Sequence, residues 1–165
     1  MRSHSIEDAV KILKKAKSVC ALTGAGVSKE SGVPTFRDAL TGLWAKYDPQ
    51  QLATPTAYKS NPKLVWDWYT FRRELVSNAR PNPGHKALAA LEQYFATFPI
   101  ITQNVDDLHE QAGSHDVIHL HGNIAANKCF HDCQATPTPV ELSTLEFDPE
   151  DGPPTCPHSR QKSVR

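Results

Sequence analysis

The stretch Ala21–Asp38, ALTGAGVSKESGVPTFRD, decides the fold. The apolar run Val19–Leu22 reads as a short strand feeding a glycine-rich turn, a sequence that can aim backbone N–H groups at a pyrophosphate. Gly24 and Gly26 are expected to let the backbone approach a ligand and to adopt angles barred to other residues. The alternative is a tight strand-to-helix turn with no ligand. The dinucleotide fingerprint G-x-G-x-x-G needs a glycine at position 29, but Lys29 stands there and the next glycine is Gly32. A nicotinamide dehydrogenase is therefore disfavoured.

Upstream, Ile6, Val10, Leu13 and Ala16 or Lys17 recur at helical spacing, which predicts a surface helix packing on the first strand. This segment lacks the apolar core and cleavage site of a signal peptide, and acidic residues in its first turn make it a poor mitochondrial presequence. Downstream, Pro49, Pro55 and Pro62 punctuate short helices and loops. Leu64, Trp68, Phe71 and Leu75 then mark a helix from Pro62 to Asn78, with Pro62 in its first turn. A second helix starts near Pro83, and strands are expected at Pro99–Thr102 and Val117–Leu120. Strands alternating with helices indicate a parallel α/β sheet. Beyond Asn127 the pattern dissolves into Cys, Pro and Thr, so a boundary is drawn between residues 126 and 127.

Composition narrows the function. The 165 residues suffice for about one domain, and 18 Lys and Arg balance 18 Asp and Glu, so no net field favours nucleic acid or an anionic membrane. No apolar run approaches the roughly 20 residues of a membrane span. A cytoplasmic, reducing location is the expectation, which makes the four cysteines metal or thiol candidates before disulfides. Cys20, on the first strand, reads as a small core residue.

Two further pieces carry chemistry. TQNVDDLH, Thr102 to His109, follows a strand at the end where open α/β sheets bind ligands. Gln103, Asn104 and Asp106 can hydrogen-bond ribose hydroxyls and an amide; Asp106 can instead cap the next helix. HLHGN places His119 and His121 at the end of another strand, where a lone histidine is commonly structural.

GAGVSKESGVPTFR, TQNVDDLH and the HG pair, in this order, resemble the sirtuin family of NAD-dependent protein-lysine deacylases over residues 5 to 158. The resemblance implies an α/β fold: part of a parallel Rossmann-like sheet with a helical insertion over residues 1–126, then the start of a small zinc-ribbon module and a divergent tail over 127–165. It implies that Gly24, Ala25, Gly26 and Ser28 line the pyrophosphate and ribose of NAD. Phe36 and Arg37 would belong to a cofactor loop, Gln103, Asn104 and Asp106 to the ribose and nicotinamide pocket, and His121 would be the general base. The implied substrates are acyl-lysine proteins, with nicotinamide and O-acyl-ADP-ribose as products. Tyr69 and Arg72, i and i+3 on a helix, look like the class that removes succinyl or malonyl groups, with Ala53 leaving room. The alternative there is a solvated arginine beside a core tyrosine.

Cys129, Cys133 and Cys156 match three positions of the family's four-cysteine zinc module, and Ser159 stands at the fourth. Serine is a poor zinc ligand; His131 or His158 are the other candidates to complete the set. The family pattern continues with a substrate-binding loop, further strands and the adenine site. About a third to two-fifths of a catalytic core is therefore expected to lie outside this sequence. With the missing fourth cysteine and unpatterned tail, this predicts a truncated or frameshifted product, inactive alone, acting at most as an NAD-, zinc- or protein-binding module.

Overall fold

The computed structural model describes residues 5–35, 38–40, 42–160 and 164. In chain order the elements are α1 Ile6–Leu13, β1 Ala21–Thr23, α2 Ala25–Lys29, α3 Pro49–Leu52, α4 Pro55–Ser60, α5 Pro62–Ser77, α6 Pro83–Glu92, β2 Ile100–Thr102, α7 Leu108–Gln111 and β3 Val117–His119, with short 3-10 turns between some of them. By packing, the chain divides into two discontinuous units, Met1–Gly32 with Ala79–His121 and Val33–Asn78 with Gly122–Arg165. The helices of the insertion thus group with the cysteine-bearing segment rather than with the sheet, a division different from the 126/127 boundary.

The first unit holds the sheet. Its order is β1-β2-β3, all parallel, with Ala21, Ile100 and Val117 in one row and Thr23, Thr102 and His119 in another. These rows share a face because strand residues two apart point the same way. Ile100 and Thr102, in the central strand, are fully buried. The intervening row, Leu22–Ile101–Ile118, turns the other way, and Leu22 and Ile118 are 70% and 47% exposed. A parallel sheet ordinarily has both faces covered; here, among the described residues, one is.

Two expectations fail in this unit. α1 has the predicted amphipathic pattern and a Ser5 capping box, yet buries no residue, and Ile6 is 81% exposed. Its apolar stripe has no covering partner among the described residues. Cys20 is likewise exposed rather than in the core, one residue before the first strand and two before Leu22, which is also exposed. α6 starts as expected: Asn82 caps it, Pro83 follows, and the Asn82 side-chain oxygen accepts from Gly84 N–H at 2.8 Å.

The second unit is built on three successive cap–proline starts. Asp48, Thr54 and Asn61 accept from the first-turn amides of α3, α4 and α5, and Pro49, Pro55 and Pro62 sit at the first helical positions. Proline costs nothing there because that N–H has no intrahelical partner. α5 buries Trp68 with Trp44, Leu52 and Ala39, and Leu64, Phe71 and Leu75 pack against that cluster, the face predicted from periodicity. Trp44 meets Trp68 edge-on at 5.1 Å between ring centroids. A second cluster gathers Trp66, Cys129, Val140, Cys156 and Val164.

Candidate functional site

In the first unit, α2 begins immediately after β1, with Gly24 as its N-cap and no side chain capping it. Gly24 is in extended backbone (φ −152°) and Gly26 is helical, so neither needs the freedom of glycine in its angles, contrary to expectation. What they provide is room: a Cβ at Gly24 or Gly26 would meet nothing within 4 Å. The first amides of a helix lack intrahelical partners. An open turn at the start of a helix suits a phosphate, so the residues present fit the cofactor that the motif implies.

Ser28, on α2, is buried, and its hydroxyl accepts from the Asn104 side-chain amide at 2.8 Å. The turn after β1 is thereby tied to the turn after β2. Asn104 is held further by its own N–H, which donates to Thr102 Oγ1 at 3.0 Å, while Gln103 N–H continues the ladder to the Thr23 carbonyl. Gln103 is exposed, whereas Asp106 is buried and its carboxylate accepts from Leu108 N–H at 3.3 Å. Asp107, not Asp106, is the N-cap of the following helix, and no side chain caps it; the Asp106 bond reaches only the first helical residue.

Two residues of this network were not singled out from sequence. His85 and His109 are fully buried, their rings 4.9 Å apart. His85 Nδ1 accepts from Asn82 N–H, which leaves Nε2 to donate to Ser28 Oγ at 3.4 Å. His109 Nε2 meets Thr23 Oγ1 at 3.0 Å. Desolvation lowers the pKa of both, against the nearby charge of Asp106, and in His109 the His85 ring adds to the effect. The available signal was N-P-x-H at Asn82–His85, where the histidine occupies the third position of a capping box.

The histidines of HLHGN separate. His119, the last residue of β3, is mostly buried and bonded at both nitrogens, to the Asn104 carbonyl (3.1 Å) and to Glu110 (2.6 Å). His121 is exposed just beyond the strand, and Gly122 turns the chain there at φ 75°, which favours glycine after this histidine. Phe36 and Arg37 lie outside the described residues.

In the second unit, Ala53 is exposed at the end of α3. Tyr69 is half-buried, packing against both the Trp68 and Tyr58 clusters. Arg72 is buried, with its guanidinium 5.9 Å from the centre of a Trp68 ring. The solvated-arginine alternative does not hold.

Cys129, Cys133 and Cys156 come together with their sulfurs within 4.8 Å of one another. A tetrahedral zinc with Zn–S of about 2.3 Å sets its sulfurs about 3.8 Å apart, and Cys133 and Cys156 are separated by 3.8 Å. Ser159 Oγ lies 3.9 Å from Cys129 Sγ. Among the described residues the cluster includes neither His131 nor His158. Crowding opposes ionisation: although Cys133 as a residue is exposed, its thiol is pushed up to about 11, by desolvation first and then by hydrogen bonds and charge from its two neighbours. A bound cation reverses that effect.

Known proteins share this organisation. The profile of the Sir2 family matches residues 24–161. The chain is 52% identical over 152 residues to NAD-dependent protein deacylase 1 of Pseudomonas aeruginosa, covering 90% of this chain and 60% of that protein. It is 58% identical over 121 residues to the NAD-dependent protein deacylase of Ralstonia nicotianae, covering 73% of this chain and 49% of that one. A crystal structure of a Sir2 homolog–NAD complex superposes with a TM-score of 0.81 at 44% identity, covering 99% of this chain and 60% of that one. A Sir2–p53 peptide–NAD+ structure gives 0.74 at 26% identity, covering 98% and 62%. The chain thus spans about half to three-fifths of the length of these relatives. From its glycine turn to its cysteine cluster, the chain belongs to the Sir2 family.

Proposed function

We propose that the protein carrying this chain is an NAD-dependent protein-lysine deacylase. The observation that carries the reading is the Ser28–Asn104 hydrogen bond, which joins the turns after two adjacent parallel strands beside an open glycine turn. Ligands of open α/β sheets bind at that end of the strands. Relatives named as deacylases, and a homolog described as an NAD complex, support it.

When bound, NAD would supply an electrophilic anomeric carbon and nicotinamide as a leaving group. The chain's own residues orient and move protons. Gly24, Ala25, Gly26 and Ser28 receive the phosphates and ribose, and Gln103, Asn104 and Asp106 shape the nicotinamide side. His121 would act as the general base, taking a proton on a ring nitrogen from a ribose hydroxyl. Substrates are acyl-lysine proteins, and Tyr69 with Arg72 favours acidic acyl groups such as succinyl or malonyl, the buried guanidinium pairing with the distal carboxylate. Cys129, Cys133 and Cys156 would hold zinc as three thiolates, in a site that lacks a good fourth ligand because Ser159, near Cys129, is a poor one. On composition, the compartment is the cytoplasm.

The test is acyl-lysine turnover by a chimera joining residues 1–158 to the remaining C-terminal part of the Pseudomonas aeruginosa relative. His121→Ala should lower turnover by about 10² to 10⁴, the usual contribution of a general base; unchanged turnover removes His121 from that role. A second reading, a non-catalytic NAD-, zinc- or protein-binding chain, draws on the exposed Leu22 and Ile118 face. It predicts that the 165-residue chain alone turns over nothing where the chimera does.

A further inference from the structure

His119 stands outside the roles assigned above, yet its position is unusual. It ends β3, paired in register with Thr102, and its imidazole lies between a backbone carbonyl, that of Asn104, and a carboxylate, that of Glu110 on α7. Both of these groups only accept hydrogen bonds. A neutral imidazole has one N–H, so filling both contacts requires the doubly protonated ring. The residue receiving the first bond, Asn104, is the one whose side-chain amide donates to Ser28.

We propose that His119 is a positioning residue: as an imidazolium strapped to Glu110, it holds the Asn104 backbone so that the Asn104 amide reaches Ser28. The inference rests on the reading of this loop as the nucleotide loop only for its consequence, not for the strap itself. Three titratable groups face the ring, Glu110 and His109 from α7 and Asp106 from the preceding loop. Burial opposes the cation, but the Glu110 hydrogen bond, the Asn104 carbonyl and the charges of Glu110 and Asp106 outweigh it, so the His119 pKa is raised. His109 next to it is shifted the other way. The strap is therefore complete below the ordinary histidine value of about 6.5 and is lost as pH rises through the higher folded value.

The experiment is a pH titration of the ¹⁵N-labelled 165-residue chain, following the ring nitrogens of His119 and the amide signals of Asn104. Expected are two protonated ring nitrogens persisting above about pH 6.5, and Asn104 signals that move with the same midpoint. Glu110→Gln, at a partly exposed site, should lower that midpoint. His119→Arg, a permanent cation with a planar fork of donors, should keep the Asn104 signals in their low-pH positions throughout. A His119 midpoint at or below the ordinary value, or Asn104 signals indifferent to it, overturns the proposal. A parallel titration of NAD affinity should show a loss of up to about tenfold across the midpoint, the lower end of what a charge-assisted hydrogen bond contributes, and no loss in His119→Arg. NAD affinity that ignores the midpoint while Asn104 moves overturns the positioning role. Absence of NAD binding at every pH counts against the nucleotide reading, while the ring and Asn104 signals still decide the strap.

Discussion

The two units solve opposite problems. The sheet-bearing unit buries polar groups: Ser28, Thr102, Asn104 and His85 hydrogen-bond to one another, His109 to Thr23, and Asp106 to the Leu108 N–H. The helical and cysteine-bearing unit buries aromatic and aliphatic groups, Trp44, Leu52, Trp66 and Trp68, and adds a knot of thiols. Burying a polar group is unfavourable unless it is hydrogen-bonded, so a unit that collects such groups at the end of its strands is organised around position rather than stability. The second unit is organised around packing, and the polar side chains it buries include Arg72 and Thr138.

That contrast can be broken at its hydrophobic end first. Trp68 is fully buried among Trp44, Leu52 and Ala39, and Trp68→Ala should destabilise the second unit by about 3–5 kcal/mol in denaturant unfolding. A loss below about 1 kcal/mol, the typical effect of an ordinary point substitution, would mean that aromatic packing does not hold that unit together. The next effect concerns Arg72. In the chimera, Arg72→Met should erase a preference for succinyl- over acetyl-lysine, a change of about 10- to 150-fold for one charge-assisted hydrogen bond. An unchanged ratio of the two activities contradicts the carboxylate pairing. The smallest effect is at the thiols. Ser159→Cys should raise zinc retention against a moderate chelator by about tenfold or more, or roughly 1.4 kcal/mol. Stoichiometric, chelator-resistant zinc without the substitution would show that three cysteines and Ser159 suffice.

How far the sequence was legible follows the same division. Helix starts were readable because cap and proline are local: Asn61–Pro62 and Asn82–Pro83 mark α5 and α6 where expected. Leu64, Trp68, Phe71 and Leu75 lie on one face because 3.6-residue periodicity is itself a statement about burial. Trp66 and Val65, on the other side of α5, were not legible, since their partners are Cys129, Val140 and Phe130, far away in sequence. The site motifs were found as strings, and the structure brings Ser28 and Asn104 together. The reason assigned to Gly24 and Gly26 was wrong, because glycine identity does not distinguish an unusual backbone angle from open space. His85 and His109 were missed for a related reason. Their rings meet between the first turns of α6 and α7, two helices distant in sequence, which no local pattern records. α1 shows the converse: an amphipathic stripe predicts that a face seeks cover, not that the described chain supplies it.

The central claim is that the open turn at Gly24–Ser28, tied to Asn104, holds NAD for acyl transfer rather than for hydride transfer. The most direct measurement is the parallel quantification of nicotinamide and deacylated peptide when the chimera is incubated with NAD and an acyl-lysine peptide. The account predicts equal amounts of the two products, no deacylation without NAD, and no reduction of the cofactor. Deacylation that proceeds without nicotinamide release, or NAD reduced in place of cleaved, would contradict it.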